Sequence, residues 1–231
     1  MAVKDVSFCV KKGRFVSLVG PSGCGKSTLL GAVAGLKVPD KGNIMLMGRD
    51  ILSAKEHIGY MFQTDNLLPW RTVYKNVLLG LEVRKKLTEE NIIYAENLLK
   101  KYGLWQFKDS YPNRLSGGMR QRVALIRTLA LKPELLLLDE AFSALDYQTR
   151  VQVSRDVYEI LKRENKTMVM VTHDIPEAVA MSDRVIVLSN RPAVVKKEAE
   201  IDFGNIMRNP VTVRTDSRFQ NYFNEIWREL V

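Results

Sequence analysis

Only two cysteines occur in the 231 residues, and no stretch approaches the run of ~18 apolar residues that a membrane-crossing helix needs. Cys9 and Cys24 flank and occupy a glycine-rich turn, which is poor ground for a disulfide framework and fits a reducing compartment. The N-terminus lacks a basic region followed by an apolar one and a cleavage site, so the chain is expected neither to be exported nor to span a membrane, and reads as cytosolic. Internal repeats and low-complexity tracts are missing as well, and with them repeat architectures and solvated tails.

What is present is enough apolar material for a full core. The hydrophobic fraction of 46% in a chain of this length excludes disorder as the default and allows one large domain, or a core with a modest subdomain. Lys and Arg number 35 against 26 Asp and Glu, and the net charge of +9 points to an acidic neighbour: nucleic acid, anionic lipid or a nucleotide. Composition does not choose among them. The positive residues are spread along the chain, and the short cluster Arg84-Lys85-Lys86 reads as a solvated face, so nucleic acid is not the expected partner.

Apolar β-rich runs alternate with helical patterns. Phe15 to Val19 precedes a helix from Lys26 to about Ala34, and Leu135 to Leu138, Thr167 to Thr172 and Arg184 to Leu188 follow later. That alternation predicts an α/β fold with a parallel central sheet. Val151 to Lys162 and Phe219 to Leu230 have helical spacing, and Thr88-Glu89-Glu90 opens a helix with acids at its positive end. Between Asn66 and about Ala130 the strand pattern gives way to helices, so residues 66–130 read as an all-helical subdomain inserted into a core made of 1–65 and 131–231.

Gly20-Pro21-Ser22-Gly23-Cys24-Gly25-Lys26-Ser27 fits G-x-x-x-x-G-K-[ST] after a strand and at the start of a helix. Glycines let the backbone curl so that successive N–H groups and the positive helix end face phosphates; Lys26 neutralises phosphate charge and Ser27 supplies a hydroxyl to Mg²⁺. Cys24 occupies one of the variable positions and is given no chemistry of its own. Further on, Leu135 to Leu138 is a wholly apolar run ending in Asp139-Glu140, as expected of a central parallel strand delivering acids to the sheet's carboxyl edge. An Asp there can hold the Mg²⁺ shell, and the Glu one residue on points towards a water placed to attack the γ-phosphate.

Leu115-Ser116-Gly117-Gly118-Met119-Arg120-Gln121-Arg122 lies ahead of that strand, and with the phosphate loop and the acid pair it resembles the ATP-binding-cassette family of transport ATPases. Gln63 in Tyr60-Met61-Phe62-Gln63, Ser143-Ala144-Leu145-Asp146, and His173 in Val171-Thr172-His173-Asp174 fall in the family's order. The resemblance implies a P-loop ATPase core with an N-terminal antiparallel β part and the inserted helical subdomain, binding ATP and Mg²⁺. It further implies a head-to-tail homodimer in which Lys26, Ser27 and Thr28 bind phosphates and metal from one copy, while Ser116, Gly117 and Gly118 of the second present a hydroxyl and helix-end amides to the γ-phosphate. Glu140 would be the base, His173 would contact the γ-phosphate, Gln63 would sense metal and water, Asp139 would hold the metal, and Asp146 would act across the dimer contact.

Leu67-Leu68-Pro69-Trp70, and Met119 where many relatives place Gln, resemble the branch that imports nitrate, sulfonates, taurine, bicarbonate or thiamine precursors. This implies separate transmembrane permease subunits, indirectly an extracytoplasmic solute-binding protein, and a peripheral position on the cytoplasmic face of the inner membrane. Trp70 either packs as a core aromatic or faces the permease. Arg191-Pro192-Ala193, a short strand and the terminal helix agree with the branch and leave no room for an added regulatory domain. The family's adenine-stacking aromatic is missing, and Phe8, alternating with Val6 and Val10, reads as core. An exporter subunit, or a nucleotide-gated module on nucleic acid or the ribosome, are the other readings; against the latter stands one compact cassette with no long coiled coil and no second fused cassette. His57 reads as an ordinary loop residue.

Overall fold

The computed structural model describes residues 1–204 and 209–231. Its main sheet has six strands in the order β4-β5-β6-β1-β7-β8: Ile58–Met61 (β4), Leu135–Asp139 (β5), Thr167–Val171 (β6), Phe15–Val19 (β1), Arg184–Leu188 (β7) and Val195–Glu200 (β8). β4, β5, β6, β1 and β7 run parallel, and β8 closes the edge antiparallel to β7. The antiparallel part near the N-terminus is a two-residue ribbon, Met45–Leu46 (β2) with Arg49–Asp50 (β3).

The continuous apolar runs follow from burial on both faces. Val16, Leu18, Leu135, Leu137, Val169, Val171, Ile186 and Leu188 face one side, where Leu30 of helix α1 (Lys26–Val33) meets them. Their alternates Phe15, Leu136, Leu138, Met168 and Met170 face the other side, packing with α4 (Gly117–Leu129) and α5 (Tyr147–Arg163). At the far end Val19, Val185 and Val187 meet α6 (Ile175–Met181) and α7 (Ser217–Leu230). Val6, Phe8 and Val10 are half-buried against the α1 side, though the segment forms no ladder there beyond the bridge between Val3 and Ala193.

Among the described residues no strand falls between Met61 and Leu135; α2 (Val73–Val83), α3 (Glu89–Lys101) and α4 fill that interval. Thr72, Thr88 and Ser116 cap them, each hydroxyl accepting an N–H three residues on. α4 crosses β4 closely enough that a Cβ on Gly59 would sit 2.5 Å from the Thr128 methyl, so only glycine fits.

The loop between β4 and α2 has one buried anchor. Asn76 is wholly buried; its Nδ2 donates to the carbonyls of Leu68 (3.1 Å), Arg71 (3.0 Å) and Thr72 (3.0 Å), and its Oδ1 accepts the Leu68 N–H at 2.8 Å. Leu67 is buried beneath the loop, whereas Trp70 is 71% exposed and is not part of the core. Asn76→Ala leaves these polar groups unpaired and is expected to cost about 3 kcal/mol of stability, read as a lower urea midpoint. An unchanged midpoint would show that the loop does not depend on this side chain.

Candidate functional site

β4, β5, β6 and β1 are consecutive neighbours pointing the same way, so whatever follows their carboxyl ends meets along one sheet edge. Gln63 follows β4, Asp139 and Glu140 end β5, His173 follows β6, and Gly20 to Ser27 follows β1.

In the loop after β1, Gly25 has φ +123°, and a Cβ there would lie 2.9 Å from the Ala2 carbonyl oxygen. Both the angle and the approach require glycine. Lys26 is 6% exposed, and its ammonium donates to the carbonyls of Gly20 (2.8 Å) and Pro21 (2.9 Å), drawing the loop into a ring around its charge. Among the described residues no side chain caps α1, so the amides of Lys26, Ser27 and Thr28 keep their donors directed out of the helix start. Ser22 and Gly23 are exposed, and Cys24 is buried beneath the loop as packing.

Ser27 Oγ donates to Asp139 Oδ1 at 3.1 Å, and the other carboxylate oxygen, Oδ2, accepts the Tyr60 hydroxyl at 2.8 Å. Burial, then the Asp139 carboxylate, push the Tyr60 hydroxyl well above its ordinary range, so it is a fixed donor. One serine hydroxyl and one carboxylate form an all-oxygen pair beside a phosphate loop, which suits Mg²⁺, an ion that keeps several waters and binds through one or two carboxylates and phosphate oxygens. The loop and this pair thus fit ATP with Mg²⁺.

Glu140 sits in the left-handed region at φ +46°, held by its N–H to the Val171 carbonyl (2.9 Å) and by Ser143 Oγ on its own carbonyl (2.9 Å). Such a conformation costs a non-glycine residue about 1 kcal/mol and turns the side chain off the strand's alternation. Its Oε2 lies 3.3 Å from His173 Nδ1. Gln63 Nε2 donates to Ser143 Oγ at 3.1 Å, joining the end of β4 to the segment after Glu140.

Ser116 and Asp146 occupy different ground. Ser116 is exposed at the start of α4, its Oγ accepting the Met119 N–H at 3.3 Å. Gly117 and Gly118 let that helix end approach the next segment: a Cβ on either would meet Leu145 at 3.2 Å or Val153 at 3.0 Å. Asp146 caps α5 through Oδ1 to the Thr149 N–H (3.0 Å), and hydrogen bonding from Thr149 lowers its pKa. Among the described residues no hydrogen bond or ion pair joins Ser116, Gly117 or Gly118 to the phosphate loop of the same chain.

Behind the acids lies a network that motif reading missed. Arg150 donates to Asp174 Oδ2 (3.0 Å) and to the Leu145 carbonyl (3.0 Å), tying the segment before α5 to the residue after His173. Asp174 caps α6 through the Glu177 N–H (2.9 Å), and Glu177 itself turns inward, accepting the Thr172 hydroxyl at 2.6 Å. Asp174-Ile175-Pro176-Glu177 carried the one available signal, a cap followed by an acid three residues on. Tyr60 had none, being a strand aromatic whose hydroxyl partner lies 79 residues away.

Residues 3–143 match the family described as ABC transporter. The uncharacterized ABC transporter ATP-binding protein YtlC of Bacillus subtilis (strain 168) is 48% identical over 229 residues, covering 99% of this chain and 88% of that protein. The nitrate import ATP-binding protein NrtD of Synechocystis sp. is 38% identical, covering 98% of this chain and 86% of that protein. Among solved structures, the dimeric structure of MJ0796, a bacterial ABC transporter cassette, superposes with a TM-score of 0.72 at 34% identity, covering 87% of this chain and 91% of that one.

Burial pushes the Glu177 carboxyl from its ordinary 4.5 up to about 7, opposed by the Thr172 hydroxyl. The folded chain therefore holds this proton where the unfolded chain has released it. The stabilisation is fully present below about pH 4.5 and is lost as pH rises through about 7. Glu177→Gln removes the titration, so its melting temperature relative to the parent is expected to rise between about pH 5 and about pH 8, on the order of 5 °C. A difference independent of pH would contradict the buried, protonated carboxyl.

Proposed function

Because the chain belongs to the ABC transporter family, as an ATP-binding subunit that hydrolyses ATP, we propose that it energises import of a small solute of the nitrate, sulfonate, taurine or bicarbonate kind through separate permease subunits. The observation that carries the catalytic part is the convergence of four parallel strand ends on one edge, with Ser27 at 3.1 Å from Asp139 and His173 at 3.3 Å from Glu140.

In this reading the amides after Gly25, together with Lys26 and Thr28, bind the β- and γ-phosphates of the substrate ATP. Ser27 and Asp139 would hold Mg²⁺ and Gln63 would sense it; when bound, the cation would offset charge on the phosphate oxygens. Glu140 orients water and takes its proton as the oxygen attacks the γ-phosphorus; ADP and inorganic phosphate are the products. His173, beside Glu140, donates towards the γ-phosphate oxygens and fixes the carboxylate's orientation.

The site is completed by a second copy. Ser116 begins α4 with an exposed hydroxyl and helix-end amides and is bonded to nothing in its own phosphate loop, so these donors serve the nucleotide of the partner copy. Asp146, at the neighbouring start of α5, acts across that contact. ATP joins the copies through its γ-phosphate and ADP does not, so nucleotide state becomes shape.

Transmission to the permease runs through the helical subdomain, residues 66–130. Arg120 pairs with Asp65 (2.9 Å), and Arg127 donates to the carbonyls of Asp65 and Asn66 (both 2.7 Å), so α4 and the segment after Gln63 move together. Trp70, exposed on that segment, is the surface offered to a permease. No helix among the described residues is long and apolar enough to cross a membrane, and the permease supplies the hold at the cytoplasmic face.

Glu140→Gln should lower phosphate release about 10²–10³-fold while nucleotide still binds. Hydrolysis at the parent rate would remove Glu140 from the role of base.

A further inference from the structure

Tyr60 bears on which cation the site accepts, an inference that rests on the ATP and Mg²⁺ reading above. β4 and β5 pair with Tyr60 opposite Leu137, so Tyr60 and Asp139, two residues on, share one face of the sheet. That face is the α1 side, where Ser27 lies in the first turn of the helix. Phe62 covers the Tyr60 ring, with centroids 4.5 Å apart, and Tyr60 is half-buried against the apolar cluster beneath α1. A rigid ring held on both sides delivers its hydroxyl to Asp139 Oδ2 at 2.8 Å, while Oδ1 turns to Ser27 at 3.1 Å. The two carboxylate oxygens are therefore unequal: Oδ2 is held by the half-buried phenol of Tyr60, and Oδ1 meets the phosphate loop at the Ser27 hydroxyl.

We propose that Tyr60 is a positioning residue that makes Asp139 a one-oxygen carboxylate and thereby selects Mg²⁺ over Ca²⁺. Mg²⁺ demands near-octahedral geometry at about 2.0–2.1 Å and keeps several waters, which a single carboxylate oxygen and a hydroxyl respect. Ca²⁺ takes more and longer bonds, about 2.3–2.6 Å, and gains from bidentate carboxylates. Releasing Oδ2 opens that second mode and lets the carboxylate rotate away from Ser27.

The test is binding of a fluorescent ribose-labelled ATP to the full chain in the Glu140→Gln background, titrated with Mg²⁺, with Ca²⁺, or with chelator, with and without Tyr60→Phe. Tyr60→Phe preserves the ring and its packing, so the fold is kept. The expected result is a rise of about five- to tenfold in the Mg²⁺ concentration for half-maximal binding. The Ca²⁺ value should rise less or fall, and nucleotide affinity in chelator should stay the same. With Asp139→Asn added, Tyr60→Phe should change neither cation's midpoint further. Equal shifts for both cations, or a loss of affinity in chelator as large as that in Mg²⁺, would reduce Tyr60 to packing and overturn the proposal. An unchanged Mg²⁺ midpoint would sink it while leaving the ATPase reading intact. Nucleotide binding with no cation dependence in the Tyr60 parent would remove that reading and the proposal with it.

Discussion

A triphosphate concentrates negative charge that must be met at one place by groups held before it arrives, and in the proposed reading that place is the carboxyl edge of a sheet whose strands are buried on both faces. Leu135 to Leu138 have no solvent-facing side to slip towards, and the pairings of β5 with β4 and β6 set where Asp139, Glu140, Gln63 and His173 emerge. The apolar strands thus position the polar residues, because a one-residue slip would carry Asp139 to the opposite face from Ser27 and Tyr60. Preorganisation of this kind is what lets few charged groups act strongly.

Behind that edge a second layer fixes the segments that carry the acids. Arg150 holds both Leu145 and Asp174, Ser143 receives Gln63 and holds the Glu140 carbonyl, and Arg120 with Arg127 grips the segment after Gln63 from α4. These ties link the end of β4, the turn after β5 and the turn after β6 into one connected set. The same ties join α4 to the segment that follows Gln63, and the 143–146 segment to both Glu140 and Asp174. The same segment packs on the glycines at the start of α4.

The sequence carried the parallel sheet, the phosphate loop, the acid pair and the helical interval because each rests on a local pattern: an apolar run, a spacing of glycines, a cap with acids after it. Gln63, His173 and the Ser116 motif are lone polar residues locally, and the family resemblance marked them out. β4 escaped periodicity reading, since Ile58–Met61 is four residues with a glycine pressed against Thr128. Trp70 could be read either way, for an aromatic next to a proline announces neither burial nor exposure. Tyr60 and Arg150 were invisible for a different reason: their meaning comes from partners brought near by the fold, at Asp139 and at Asp174. Those partners lie 79 and 24 residues away, and no spacing within one segment encodes them.

In the proposed assembly, nucleotide lies between Lys26 of one copy and Ser116 of the other. Sedimentation of the full chain blocked in hydrolysis, with ATP and with ADP, measures this most directly when repeated with Ser116→Arg. A dimer is expected with ATP, a monomer with ADP, and a monomer in both when arginine fills the helix start, although that variant's own phosphate loop still binds nucleotide. Pairing that ignores the γ-phosphate, or survives Ser116→Arg unchanged, would contradict it.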